Sequence, residues 1–253
     1  MKVIFNADDF GLSKGVNLGI LEACKNGPVR STSIMANMPR FEHAVELSKE
    51  VSERLKIGVH LTLSRGKSVG GVYKTLTDQN GEFLHLTNIK NRANRGDVDL
   101  AEVEAEYEAQ IQKVLSAGIK PDHLDSHHLD THQLPSILMV LLKLAKKYGI
   151  KSRKFHKELF TGEYADIKTT DIFDKTFFDE TATKENLLHI LSTHKQNANS
   201  LEIMCHPAFI DAYLHSTSSY SIQRVYELDI LTSPEVMDFI AKQGIELCSF
   251  SDL

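Results

Sequence analysis

Between His123 and His132 the chain reads His-Leu-Asp-Ser-His-His-Leu-Asp-Thr-His, which gathers four of its twelve histidines and two aspartates into ten residues. Imidazole nitrogen and carboxylate oxygen are ordinary ligands of zinc and related divalent ions, so the cluster points toward a metal site. Elsewhere the adjacent acids Asp8 and Asp9 offer oxygen donors, and His60 and His206 offer further nitrogens. One chemistry open to such a set is the activation of water, although spacing alone does not fix the reaction. A bound divalent ion lowers the pKa of water from 15.7 toward about 7, and a positioned carboxylate takes the remaining proton during attack. One Asp and two His would leave room for water and substrate, as catalytic sites do. The second Asp, beside the ligand acid, is then the natural base.

Groups so distant in sequence can meet only if the elements between them bring strand ends together. Val3-Ile4-Phe5 is a short continuous apolar run, the pattern of a strand buried on both faces, and it leads into Asn6-Ala7-Asp8-Asp9. Residues 14–26 carry helical apolar spacing that Gly27-Pro28 stops. A second strand is expected over 30–37, a helix over 41–55, and a third strand over 57–63 that carries His60. Residues 64–96 scatter glycine among Lys, Arg and Asn with no sustained period, which predicts a long loop or lid. Asp97 or Asp99 can cap the next helix, whose stripe runs from Leu100 to Leu115. His123–His127 follows as a strand and Leu134–Tyr148 as a helix. A short strand is expected over 152–155, a second loop insertion over 156–183, and a helix over 185–196. Leu201–Pro207 is an apolar strand that ends in His206. Ser233-Pro234-Glu235 opens the last helix as N-cap, first position and first-turn acid, and residues 245–250 supply the final strand.

About seven strands alternating with about six helices predict an α/β chain of parallel βα units, a (β/α) barrel-like fold, incomplete or distorted, formed by residues 1–253 as one domain. Asp8, Asp9, His60, Asp125, His127 and His206 then fall at or near the C-terminal ends of strands, the face on which barrels build active sites. No Gly-x-Gly-x-x-Gly or phosphate-loop pattern favours a doubly wound nucleotide site. Hydrophobic content of 42% and charge of 25% are those of a globular chain, and a net charge of −5 with scattered Lys and Arg leaves no footprint for nucleic acid. No run approaches 18 apolar residues, and the apolar start is too short for a secretory core, so no membrane association and a cytoplasmic location are expected. The three cysteines, widely spaced, are expected to be reduced. Cys205 beside His206 invites a nucleophile reading, against which stands the apolar strand that runs into it. A homodimer is the base-rate expectation.

Asn-Ala-Asp-Asp-Phe-Gly-Leu-Ser (6–13), Ser-Thr-Ser (31–33), Gly-Val-His-Leu (58–61), Pro-Asp-His-Leu-Asp-Ser-His-His (121–128), Met-Cys-His-Pro-Ala-Phe-Ile-Asp (204–211) and Glu-Leu-Asp-Ile-Leu-Thr-Ser (227–233) stand in this order along the chain. Together they resemble the YdjC-type carbohydrate deacetylases, most of all those acting on chito-oligosaccharides. The resemblance implies a barrel-like fold, one divalent metal ion (magnesium or zinc) and hydrolysis of the acetamide of N-acetylglucosamine units in an oligosaccharide. Position by position it makes Asp9, His60 and His127 the metal ligands, Asp8 the general base and His206 the acid for the leaving amine. Asp125 could accept a ligand histidine's other N–H. Arg153 either orients a carboxylate, contacts sugar or is a surface residue. The segment Leu129–His132 departs from the family pattern by one residue, which leaves His128 and His132 as pocket-lining groups. A barrel sugar isomerase or epimerase, or a metal- or sugar-binding protein without activity, is the alternative.

Overall fold

A computed structural model describes residues 1–128 and 134–253. The expectations placed on Leu129–His132 lie outside the described residues. Strands β1 (Lys2–Phe10), β2 (Ser31–Ile34), β3 (Lys56–Leu61), β4 (His123–Ser126), β5 (Lys151–Ser152), β6 (Ile172–Asp174) and β7 (Ser200–Cys205) pair in the order β5-β4-β3-β2-β1-β7-β6. All of these pairings are parallel, and β8 (Glu246–Leu247) adds parallel to the start of β1. The sheet curls into an open, incomplete barrel. Flat, at about 4.8 Å per strand, β5 and β7 would lie more than about 20 Å apart. Arg153, directly after β5, nevertheless places Nε 2.7 Å from Glu202 of β7. The edges stay unzipped, with Ser152 N–H donating to Lys168 O at 3.2 Å just ahead of β6.

Helices α1 (Lys14–Asn26), α2 (Phe41–Ser48), α3 (Leu86–Arg95), α4 (Leu100–Ser116), α5 (Pro135–Tyr148), α6 (Lys184–Lys195), α7 (Ala212–Thr217), α8 (Ile222–Leu231) and α9 (Pro234–Lys242) are the α-helices among the described residues. None is long and apolar enough to cross a membrane. Local signals place several of them well. Ser13 caps α1 by accepting from Val16 N–H, and Asp99 caps α4 by accepting from Ala101 N–H. Ser233 begins α9 as expected, but its hydroxyl donates back to Ile230 O and makes no cap bond.

Three expectations need correction. The first strand extends past its apolar run, through the two acids to Phe10. Asn6 and Ala7 pair with both β2 and β7, and Asn6 finds side-chain partners inside the barrel in Ser31, Ser33 and Asp8, so a polar run continues as strand. The loop expected over 64–96 contains α3, whose one buried residue is Ile89 and which therefore shows no apolar stripe. Its preceding segment is pinned to α4, where Glu106 accepts from Val69 and Gly70 N–H and Glu102 from Lys74 and Thr75 N–H. The insertion over 156–183 likewise holds the short strand β6 along with three 3-10 turns. Helices α7 and α8 carry no expectation from sequence, and α8 turns out to matter for the site.

Candidate metal and catalytic site

β1 delivers two adjacent carboxylates to one pocket by breaking its own regularity. In an even strand, neighbouring side chains point to opposite faces. Here the β1–β2 register slips between Ala7 and Phe10, and Asp9 takes φ +73, the left-handed region that non-glycine residues rarely occupy. Asp8 and Asp9 both end up near the His60 ring, with Nε2 4.0 Å from Asp8 Oδ2 and 3.4 Å from Asp9 Oδ1. The strand order puts β2 between β1 and β3, so the curl of the sheet brings His60 across.

His127 follows β4, its N–H donating to Leu61 O at 2.9 Å, which holds it beside the end of β3. Its Nδ1 lies 2.8 Å from Asp9 Oδ1, and the rings of His60 and His127 meet edge to face with centroids 5.3 Å apart. Asp9 Oδ1 is buried and makes no hydrogen bond, despite a ring nitrogen on either side. Ligand atoms of Asp9, His60 and His127 all lie within 4.8 Å of one another. Asp8, His60 and Asp125 form a second such group. Its oxygens are already engaged, because Asp8 and Asp125 take donors from Arg153, Asn6 and Ser33. The free donor set is Asp9, His60 and His127, one oxygen and two nitrogens, a combination that suits a divalent ion with an affinity for imidazole.

The remaining expected residues support these three. Asp125 Oδ1 sits 2.8 Å from His60 Nδ1, which fixes the ring and turns Nε2 toward Asp9. Arg153 is 1% exposed, which removes the surface reading and leaves no face for sugar. Its fork donates to both oxygens of Asp8 at 2.7 and 2.8 Å, while Nη1 lies 3.1 Å from Asp125. His128 is exposed, with φ +56, and lays its ring 3.7 Å from that of His127 at a 34° tilt. His206 follows β7, whose Cys205 is opposite Ala7, so it stands beside Asp8 at the same end of the sheet. Its Nδ1 is buried without a hydrogen bond, 3.7 Å from Glu227 Oε1.

Charge is concentrated here. Burial by itself would raise the Asp9 carboxyl, yet His127 and Arg224 hold it well below the usual carboxylate range. Burial opposes charge on His60 as well, but Asp125 and Asp8 prevail and push it up to about 10. His127 is depressed by burial, only partly offset by Asp9. Cys205 donates to Asn6 O at 3.3 Å, and burial pushes its thiol well up, so it offers no nucleophile.

Two residues escaped the sequence reading, both on α8. Arg224 donates from Nη2 to Asp9 Oδ2 at 2.6 Å, taking the oxygen that faces away from the two histidines. Glu227 accepts the backbone N–H of His206 at 2.5 Å and the hydroxyl of Tyr220. The signal was present. Arg224, Glu227, Leu228 and Leu231 are the buried residues of α8 and recur at helical spacing, so two charges occupy an inward face.

The YdjC-like protein family matches residues 2–242. A carbohydrate deacetylase of Clostridium beijerinckii is 42% identical over 253 residues, covering 100% of both chains. The crystal structure of an Enterococcus faecalis protein, described as a candidate for cellobiose-phosphate cleavage, is 36% identical with a TM-score of 0.91, covering 99% of this chain and 98% of that one. A family 4 carbohydrate esterase of Streptomyces lividans, in complex with acetate, has a TM-score of 0.52 at 12% identity over 98% of this chain and 91% of its own, a likeness of fold alone.

Proposed function

The chain belongs to the YdjC-like family, and from that premise we propose that it is a metal-dependent carbohydrate deacetylase acting on N-acetylglucosamine units of chito-oligosaccharides. The observation that carries this reading is the unbonded Asp9 Oδ1 between His60 Nε2 and His127 Nδ1, with Asp8 clamped beside it. Residues 1–253 act as one deacetylase domain. Asp9, His60 and His127 are the residues that would hold one magnesium or zinc ion. Such an ion, when bound, polarises a carbonyl and lowers the pKa of water.

Asp8 takes the proton of the attacking water. Arg153 keeps its carboxylate in one rotamer by two charge-assisted bonds, so the base is aimed before substrate arrives. Water adds to the acetyl carbonyl carbon, the C–N bond breaks, and His206 supplies the proton that makes the departing nitrogen a neutral amine. Glu227 holds His206 in place by accepting its backbone N–H, with Oε1 3.7 Å from the ring Nδ1. Acetate and a free amino sugar are the products.

The test is acetate release from diacetylchitobiose, with metal content measured on the same samples. Wild type releases acetate and a chelator stops it. Asp8→Asn keeps its metal and loses about 10²–10⁴-fold in rate, whereas Asp9→Asn loses the metal. Full activity in Asp8→Asn would remove Asp8 as the base.

A further inference from the structure

A pair of aromatic rings flanks His206. Phe178 stacks on Tyr220 with centroids 4.3 Å apart and planes 13° from parallel. The His206 ring lies 5.5 and 5.6 Å from their centroids, inclined 66° and 72°, and these near-equal distances to two stacked rings place it at the edge of the stack. The pair is held from several sides. Asp179 turns the chain with φ +53 and donates its N–H to Tyr220 Oη at 2.9 Å. Gln223 of α8 donates to Asp179 Oδ1 at 3.2 Å, Thr181 Oγ1 donates to Phe178 O at 2.6 Å, and the Tyr220 hydroxyl is tied to Glu227. A benzyl side chain fixed in this way yet left 38% exposed keeps apolar surface in water, next to a polar group at the mouth of the site. Its neighbour Phe177 is fully buried, so the segment had an apolar anchor without it.

We propose that Phe178 is a sugar-binding residue on which the pyranose ring that carries the acetamide stacks through its C–H face. The rigid Tyr220 ring behind it limits the ordering cost that such a contact would otherwise carry. His206 at the ring edge sets the distance, because the nitrogen it serves is bonded directly to the stacked sugar. Phe178 thus selects for a flat, C–H-rich ring and takes no part in bond breaking. The identity of the sugar rests on the deacetylase reading, but stacking itself can be measured apart from turnover.

The experiment titrates diacetylchitobiose into metal-loaded wild type, Phe178→Tyr, Phe178→Leu and Phe178→Ala by calorimetry, with acetate release followed in parallel. Phe178→Tyr binds like wild type, while the leucine and alanine variants bind roughly tenfold more weakly. Leucine keeps an apolar cover on Tyr220, so its loss of affinity is a loss of the aromatic face and not of the fold. In turnover the same variants raise KM and leave kcat within about threefold. Equal affinity in wild type and Phe178→Leu would overturn the proposal whatever the acetate assay gives. Binding that depends on Phe178 with no acetate released would uphold the stacking and overturn the deacetylase reading alone.

Discussion

Arg153 meets three carboxylates at once, those of Asp8, Asp125 and Glu202, and is itself buried. His60 shares the load of Asp8 and Asp125, but Glu202 has only its one bond to Arg153 to set against burial. Burial raises its carboxyl to about 7 from an ordinary 4.5, with Arg153 only partly offsetting the rise, and Oε2 has no partner. The folded state therefore holds this proton more tightly than the unfolded chain. The stability it contributes is complete below about 4.5 and is lost as pH rises through about 7. Glu202→Gln keeps an oxygen for Arg153 Nε and removes the titration. Relative to wild type the variant gains stability between those pH values, by about 3 kcal/mol at full effect. Thermal unfolding of both proteins across that range checks this, and parallel curves would sink it. At this scale the sequence revealed the candidate donor types, since His and Asp are unmistakable. It did not reveal Arg153's partners, which lie 145 and 49 residues away in sequence.

The elements do the positioning. The irregular end of β1 turns two neighbouring acids into one pocket, and α1 then packs against the loop that follows His206. A Cβ added to Gly19 would lie 2.4 Å from Ala208 Cα and 2.8 Å from Ala208 N, against backbone that cannot swing aside. Gly19→Ala must push α1 and residues 206–211 apart, at a cost of about 1–3 kcal/mol. Because Ala208 is two residues past His206, kcat falls as well, while metal content is retained. Thermal melts with acetate release and metal analysis measure all three, and an unshifted melt would show that the loop yields freely. The strand-ending acids and the α1 and α4 caps were legible because those signals are local. The bulge in β1 and the polar helix α3 were not, because each is stable only through partners elsewhere, and the spacing along α8 marked an inward face without naming what its two charges meet.

On the scale of the whole molecule, the curl of the sheet gathers donors from β1, β3 and the end of β4, and the unfolded chain offers no such group. A metal ion held by these donors would stabilise the folded state by mass action, about 2.7 kcal/mol with free ion at 100 times Kd. In a chain of this size that is a rise in Tm of several degrees. Added zinc or magnesium raises the Tm of wild type and leaves Asp9→Asn unmoved, as calorimetry or circular dichroism can show; an equal rise in both would place the ion elsewhere. The alternation of apolar runs with amphipathic stretches determined a parallel βα architecture and put polar residues at strand ends, because hydrophobic period and punctuation are properties of neighbours in sequence. Only the tertiary structure decided that Asp9 carries the free oxygen while Asp8 is clamped, that Asp125 orients His60, and that Arg224, 215 residues from Asp9, holds its far oxygen. Charged groups choose partners by distance within the curled sheet, and no local pattern records that distance.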